Sequence, residues 1–187
     1  MKNVIYESQR EIKTFVDLFH GSDVLLKHSK EVQKGSYFTT MASLLLTAFT
    51  FEAYLNHIGK EKILLWQEIE KVSIFNKYKI LCKECSLPIN KGERPYQTFK
   101  SLFTFRNSIA HGRSQILREE KSISDSEDIL KYEPKTNIEE FCTEDNAIKA
   151  REDIEIMIIE LNIKIGSGNY PFASGISFNS ITLNDKI

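Results

Sequence analysis

The sequence predicts an all-α fold: a four- to five-helix up-and-down bundle with a charged excursion before its last helix. Three observations predict it. Apolar residues recur at helical spacings along most of the chain, as at Ile154, Ile158, Leu161 and Ile165. Glycines punctuate the ends of these stretches, at Gly21, Gly35, Gly59 and Gly112. No run of alternating apolar and polar residues is long enough for a substantial sheet. At 187 residues, with 41% hydrophobic and 27% charged residues, the chain is sized for one domain. The bundle is expected over residues 1–165 and a Gly/Ser/Asn-rich tail, flexible or docked on a partner, over residues 166–187.

Residues 4–19 carry Val4, Ile5, Ile12, Phe15, Val16 and Phe19 at helical spacing, so a first helix is expected there, ending or bending at Gly21-Ser22-Asp23. A second stretch runs from Asp23 to Gln33 and closes at Gly35. Ser36 is placed to cap an apolar helix that continues to Ile58 and stops at Gly59. Residues 61–85 give another helix by pattern, with Ser73 and Asn76 as its weak points. Pro88, Asn90 and Gly92 make the following loop, and Pro95 opens a helix that runs to His111 before Gly112. Residues 113–142, charged and broken by Pro134, form an irregular excursion. Thr143, followed by Glu144 and Asp145, caps the last helix.

A formal net charge of −1 provides no overall attraction for a polyanion, so such a partner needs a local basic patch. Lys91, Arg94, Lys100, Arg106, Arg113 and Arg118 supply one against the single acid Glu93. Three cysteines and no secretory leader point to free thiols in a reducing, cytoplasmic setting. Cys82 and Cys85 spell C-x-x-C inside a helical pattern and are read as structural. Residues 37–58 have the length of a membrane span, yet Thr39, Ser43, Glu52, Asn56 and His57 interrupt it, so no membrane is expected. His20, His28, His57 and His111 lie on separate elements without ligand spacing, and there is no Gly-rich phosphate loop, so neither a metal nor a cofactor is expected.

The chemistry gathers on the helix that Pro95 opens. Tyr96, Phe99, Leu102, Phe103, Ile109 and Ala110 share one apolar face, and Arg106 falls near its middle. A guanidinium placed there needs an opposite charge. Met41, Leu45, Ala48 and Glu52 form a stripe on the preceding apolar helix, so Glu52 is expected to pair with Arg106 in the core. Asn107 and His111 stand four residues apart on one edge, where Asn107 can orient the imidazole.

The string Arg106-Asn107-Ser108-Ile109-Ala110-His111-Gly112 resembles the R-x4-6-H motif of the HEPN superfamily, and Phe51-Glu52-Ala53-Tyr54-Leu55-Asn56 resembles that family's acid-bearing helix. The resemblance covers residues 1–165. It implies a metal-independent endoribonuclease of the toxin–antitoxin or antiphage-defence kind, working as a homodimer and often restrained by a nucleotidyltransferase-type antitoxin. Arg106, Asn107 and His111 would then be catalytic and Glu52 supporting, with Lys100, Arg113 and Arg118 on the RNA. The competing expectation is a non-catalytic helical module that binds a protein partner or a nucleotide.

Overall fold

The computed structural model describes residues 4–122, 124 and 132–183. Its elements are β1 (Val4–Arg10), α1 (Thr14–Glu31), α2 (Ser36–Lys62), α3 (Trp66–Ile69), α4 (Ile74–Glu84), α5 (Tyr96–Ala110), α6 (Asn137–Phe141), α7 (Glu144–Lys164) and β2 (Ser177–Leu183). The fold is mostly helical with a small two-stranded sheet. The strictly all-α expectation is corrected by that sheet, which pairs the two ends of the chain.

The spine is α2, against which α1, α4, α5 and α7 all pack. Leu44, Ala48, Phe51, Tyr54, Leu55 and Ile58 point from it into the core. Residues three and four apart lie on one side of a helix, so this single stripe meets Ile154, Met157, Ile158 and Leu161 of α7 and the aromatic face of α5. Phe51, Tyr78, Phe99 and Phe103 interlock there, with ring centroids 5.0 Å apart for Phe51–Phe99 and 5.1 Å for Phe99–Phe103. Edge-to-face rings at such distances add to the apolar burial. The length and composition of α2 would suit a membrane span, but half of its most apolar window is buried inside the bundle.

Several expected boundaries move, each for a local reason. Residues 4–10 form a strand rather than the start of a helix, in antiparallel register with β2 from Val4 opposite Leu183 to Arg10 opposite Ser177. The Gly21-Ser22-Asp23 punctuation neither stops nor bends the chain into two helices; α1 is continuous through it. Small residues there let α1 and α2 approach, and Ser43 Oγ donates to the Ser22 carbonyl oxygen at 2.7 Å. Ser36 does not cap α2, because Gly35 occupies the N-cap with a left-handed φ of 85° that glycine tolerates. Gly59 does not end α2 but lies within it, under the Trp66 indole.

Residues 61–85 divide into α3 and α4, and Ser73, a weak point of the pattern, caps α4 by accepting from the Asn76 N–H. Pro95 sits at the N-cap of α5 rather than in its first turn, so the helix begins at Tyr96, one residue after the expected start. The excursion is irregular and exposed over 113–122, while residues 123 and 125–131 lie outside the described residues. It then forms α6 behind a capping box made by Thr136 and Glu139. Thr143 caps α7, as the sequence predicts. The tail docks on its own bundle: Phe172 stacks on Phe19 at 4.2 Å, and Asn162 Nδ2 donates to the carbonyls of Ser167 and Gly168.

Candidate active site

The last two turns of α5 carry the candidate residues. Arg106 Nη2 donates to Glu52 Oε2 at 2.8 Å, joining α5 to α2. Its Nη1 donates to Asn107 Oδ1 at 3.0 Å, and the guanidinium lies 5.5 Å from the centroid of the Phe49 ring. Carboxylate, amide and ring thus hold the guanidinium in one orientation. Both ends of the ion pair stay partly open, with 27% of the Arg106 side chain and 30% of the Glu52 side chain exposed. The pair forms, but at the margin of the core rather than inside it. A guanidinium has five N–H donors, and the two bonds above leave three for a ligand.

His111 is the C-cap of α5; its backbone N–H donates to the Asn107 carbonyl at 3.0 Å and its side chain is exposed. No hydrogen bond joins the Asn107 side chain to the imidazole; its Oδ1 accepts from Arg106 instead. Around the helix axis, Arg106 and His111 are five residues and about 140° apart, so the two groups face different sides of α5. Asn107 and His111 stand about 40° apart on one exposed edge.

Among the expected RNA-contacting residues, Lys100 lies on that same edge, three turns before His111. It lines a cleft of about 320 Å³ with Thr104, Ser108 and Phe141 between α5 and α6. Arg113 and Arg118 are exposed on the irregular segment after the helix. The structure therefore brings Arg106, Asn107 and Glu52 into contact, sets His111 and Lys100 on one adjacent edge, and leaves Arg113 and Arg118 apart.

Two features escaped the sequence pattern. One is the Phe49 ring beside Arg106. The other is Asp153 of α7, whose side chain is 3% exposed and receives both Nε and Nη2 of Arg94, at 2.8 and 2.9 Å. This bidentate pair anchors the start of α5, as the Glu52 pair anchors its end. Asp153 was readable by the same test as Glu52, being an acid in the apolar stripe of Ala150, Ile154 and Met157. Comparison with protein-family models, curated proteins and solved structures gives no match to this chain.

Proposed function

We propose that the chain is a metal-independent endoribonuclease of the HEPN type. The observation that carries this reading is the clamped Arg106: Glu52 and Asn107 fix a guanidinium with three free donors at an open helix end, the same end at which His111 is exposed on another side. Such a group is preorganised to meet a phosphate, and charge stabilisation by fixed donors is worth most when nothing must reorganise during the reaction.

In this mechanism the 2′-OH of RNA attacks the adjacent phosphorus while the bond to the 5′ oxygen breaks. The products are a 2′,3′-cyclic phosphate and a 5′-OH. One group must accept the 2′-OH proton and another must deliver a proton to the leaving oxygen. His111 is the proton-transfer residue, Arg106 stabilises charge on the non-bridging oxygens, and Asn107 holds Arg106. Each chain brings one imidazole to this end of α5, and Arg106 and His111 face different sides of the helix, so the reading places the cleft between two copies in a homodimer.

The non-catalytic alternative is favoured by one observation: no described residue hydrogen-bonds the His111 imidazole. The two readings separate in one assay. The parent chain cuts RNA in excess EDTA and fails on 2′-O-methylated RNA, while His111→Ala loses about two to four orders of magnitude in rate with its helical content intact. Cutting by His111→Ala at the parental rate would overturn the catalytic reading.

A further inference from the structure

A second recess lies between α4, the loop that follows it and the start of α5. Its volume is about 440 Å³, and Lys79, Lys83 and Lys91 stand around it with Phe75 and Tyr96 in its wall. No carboxylate lines it. Two other recesses, near His57, mix charges instead, with Glu70 facing Lys13 and Lys60 in one, and Glu11 and Glu61 facing Lys13 and Lys62 in the other. Among the described residues none of the three lysines has a carboxylate within ion-pair distance. Glu84 and Glu93 are close in sequence but do not line the recess.

Unpaired like charges around a concavity repel one another, a cost that a bound polyanion removes. Lys79 and Lys83 are one helical turn apart on one face of α4, about 6 Å along its axis. The aromatic wall adds a second chemistry. Phase by phase around α5, Tyr96 packs edge-on against Phe99 at 5.6 Å, and Phe75 reaches Phe99 at 4.8 Å and Phe103 at 6.3 Å, yet both rings keep part of their surface open. Lysines that meet phosphates beside rings that meet bases make a surface for single-stranded nucleic acid. An acidic protein segment would use the lysines and leave the rings without a matching π-face.

The recess is in line with the candidate active site. Tyr96 and Asn107 are eleven residues apart, three turns, and so share one stripe of α5 about 16 Å long. Lys100 lies beside that stripe, between the two ends. The loop carrying Lys91 is tied to α5, because the Gln97 side-chain amide donates to the Lys91 carbonyl oxygen.

We infer that this basic-aromatic recess holds the single-stranded RNA a few nucleotides away from the bond that is cut. Its choice of RNA over another polyanion rests on the ribonuclease reading. The lysines set affinity without reading sequence, and the Phe75–Tyr96 wall takes an unstacked base.

The test uses the full chain carrying His111→Ala, so that RNA is not consumed, and follows a short fluorescein-labelled single-stranded RNA by anisotropy across a salt series. Replacing Lys79, Lys83 and Lys91 together by serine weakens binding at least tenfold and lowers the slope of log affinity against log salt by about two, as expected for three lost phosphate contacts. Tyr96→Leu, checked for unchanged helical content, weakens binding about tenfold while leaving the salt slope in place. An unchanged affinity and slope in the triple variant overturns the inference, as does an absence of RNA binding by the parent. So does a labelled polyglutamate peptide that binds as tightly as RNA with the same lysine dependence. With His111 restored, lysine-dependent binding without any cleavage keeps the recess and removes the ribonuclease reading. Cleavage that is equally efficient in the triple variant keeps the ribonuclease and removes the recess.

Discussion

A helical wheel locates Arg106 in the middle of an apolar face, and on that ground alone both it and Glu52 belong in the core. The wheel supplies an angle around the axis and says nothing of depth along it. Arg106 stands in the last turns of α5, where Asn107, Ser108 and Ala110 are exposed and the helix runs off the bundle. The ion pair is therefore legible in the sequence while its openness is not. The energetic consequence is large, because solvent screens a half-open pair and little desolvation has to be offset. Glu52→Ala is expected to destabilise the chain by on the order of 1 kcal/mol in urea unfolding. A loss of about 3 kcal/mol would instead mean that the pair is covered in solution, as closure of a homodimer over this end of α5 would do.

Within elements, punctuation was legible where a side chain makes a local hydrogen bond, and illegible where a residue serves a distant neighbour. Thr143 caps α7 through its own hydroxyl, which any reading of the local string finds. Gly59 has no such local role: α2 passes through it to Lys62, and a Cβ at that position would run into the Trp66 ring. Gly21 and Ser22 likewise interrupt nothing, and mark where two helices come close. The pairing of β1 with β2 joins residues as far apart as Val4 and Leu183, beyond the reach of any window. Apolar residues at the start of the chain fit a helical pattern and an exposed ribbon equally well, so only the partner strand decides. Gly59→Ala separates the two roles of that glycine. Helix propensity alone would stabilise it by somewhat under 1 kcal/mol. Overpacking against Trp66 costs about 1–3 kcal/mol, and a net fall in the urea midpoint is expected. A rise would show that Trp66 moves aside without loss.

At the scale of the whole molecule, the core and its margin hold several weak acids. Tyr54 and Tyr78 are buried and burial pushes both phenols well above their usual range, with Tyr37 shifted the same way. Burial also pushes the Cys82 thiol up to about 12 and the Cys142 thiol up to about 11, from 9.0. The common cause is that an anion in the apolar centre of the bundle loses its hydration without gaining a cation. These groups sit on α2, α4 and the turn before α7, so ionising them strikes every helix packed on the spine. Because each folded-state value lies above the unfolded one, the native state binds more protons than the unfolded state once the pH exceeds about 9. Stability is then complete below that pH and is lost as the pH rises toward the folded-state values. The unfolding midpoint is expected to fall steadily from about pH 9 upward. Cys82→Ala and Cys142→Ala, each compared with its own midpoint at neutral pH, should flatten that fall, since each removes one group whose proton the fold retains. A midpoint that stays constant between about pH 8 and pH 10 would mean that the thiols reach water in the folded chain and that the centre of the bundle is open.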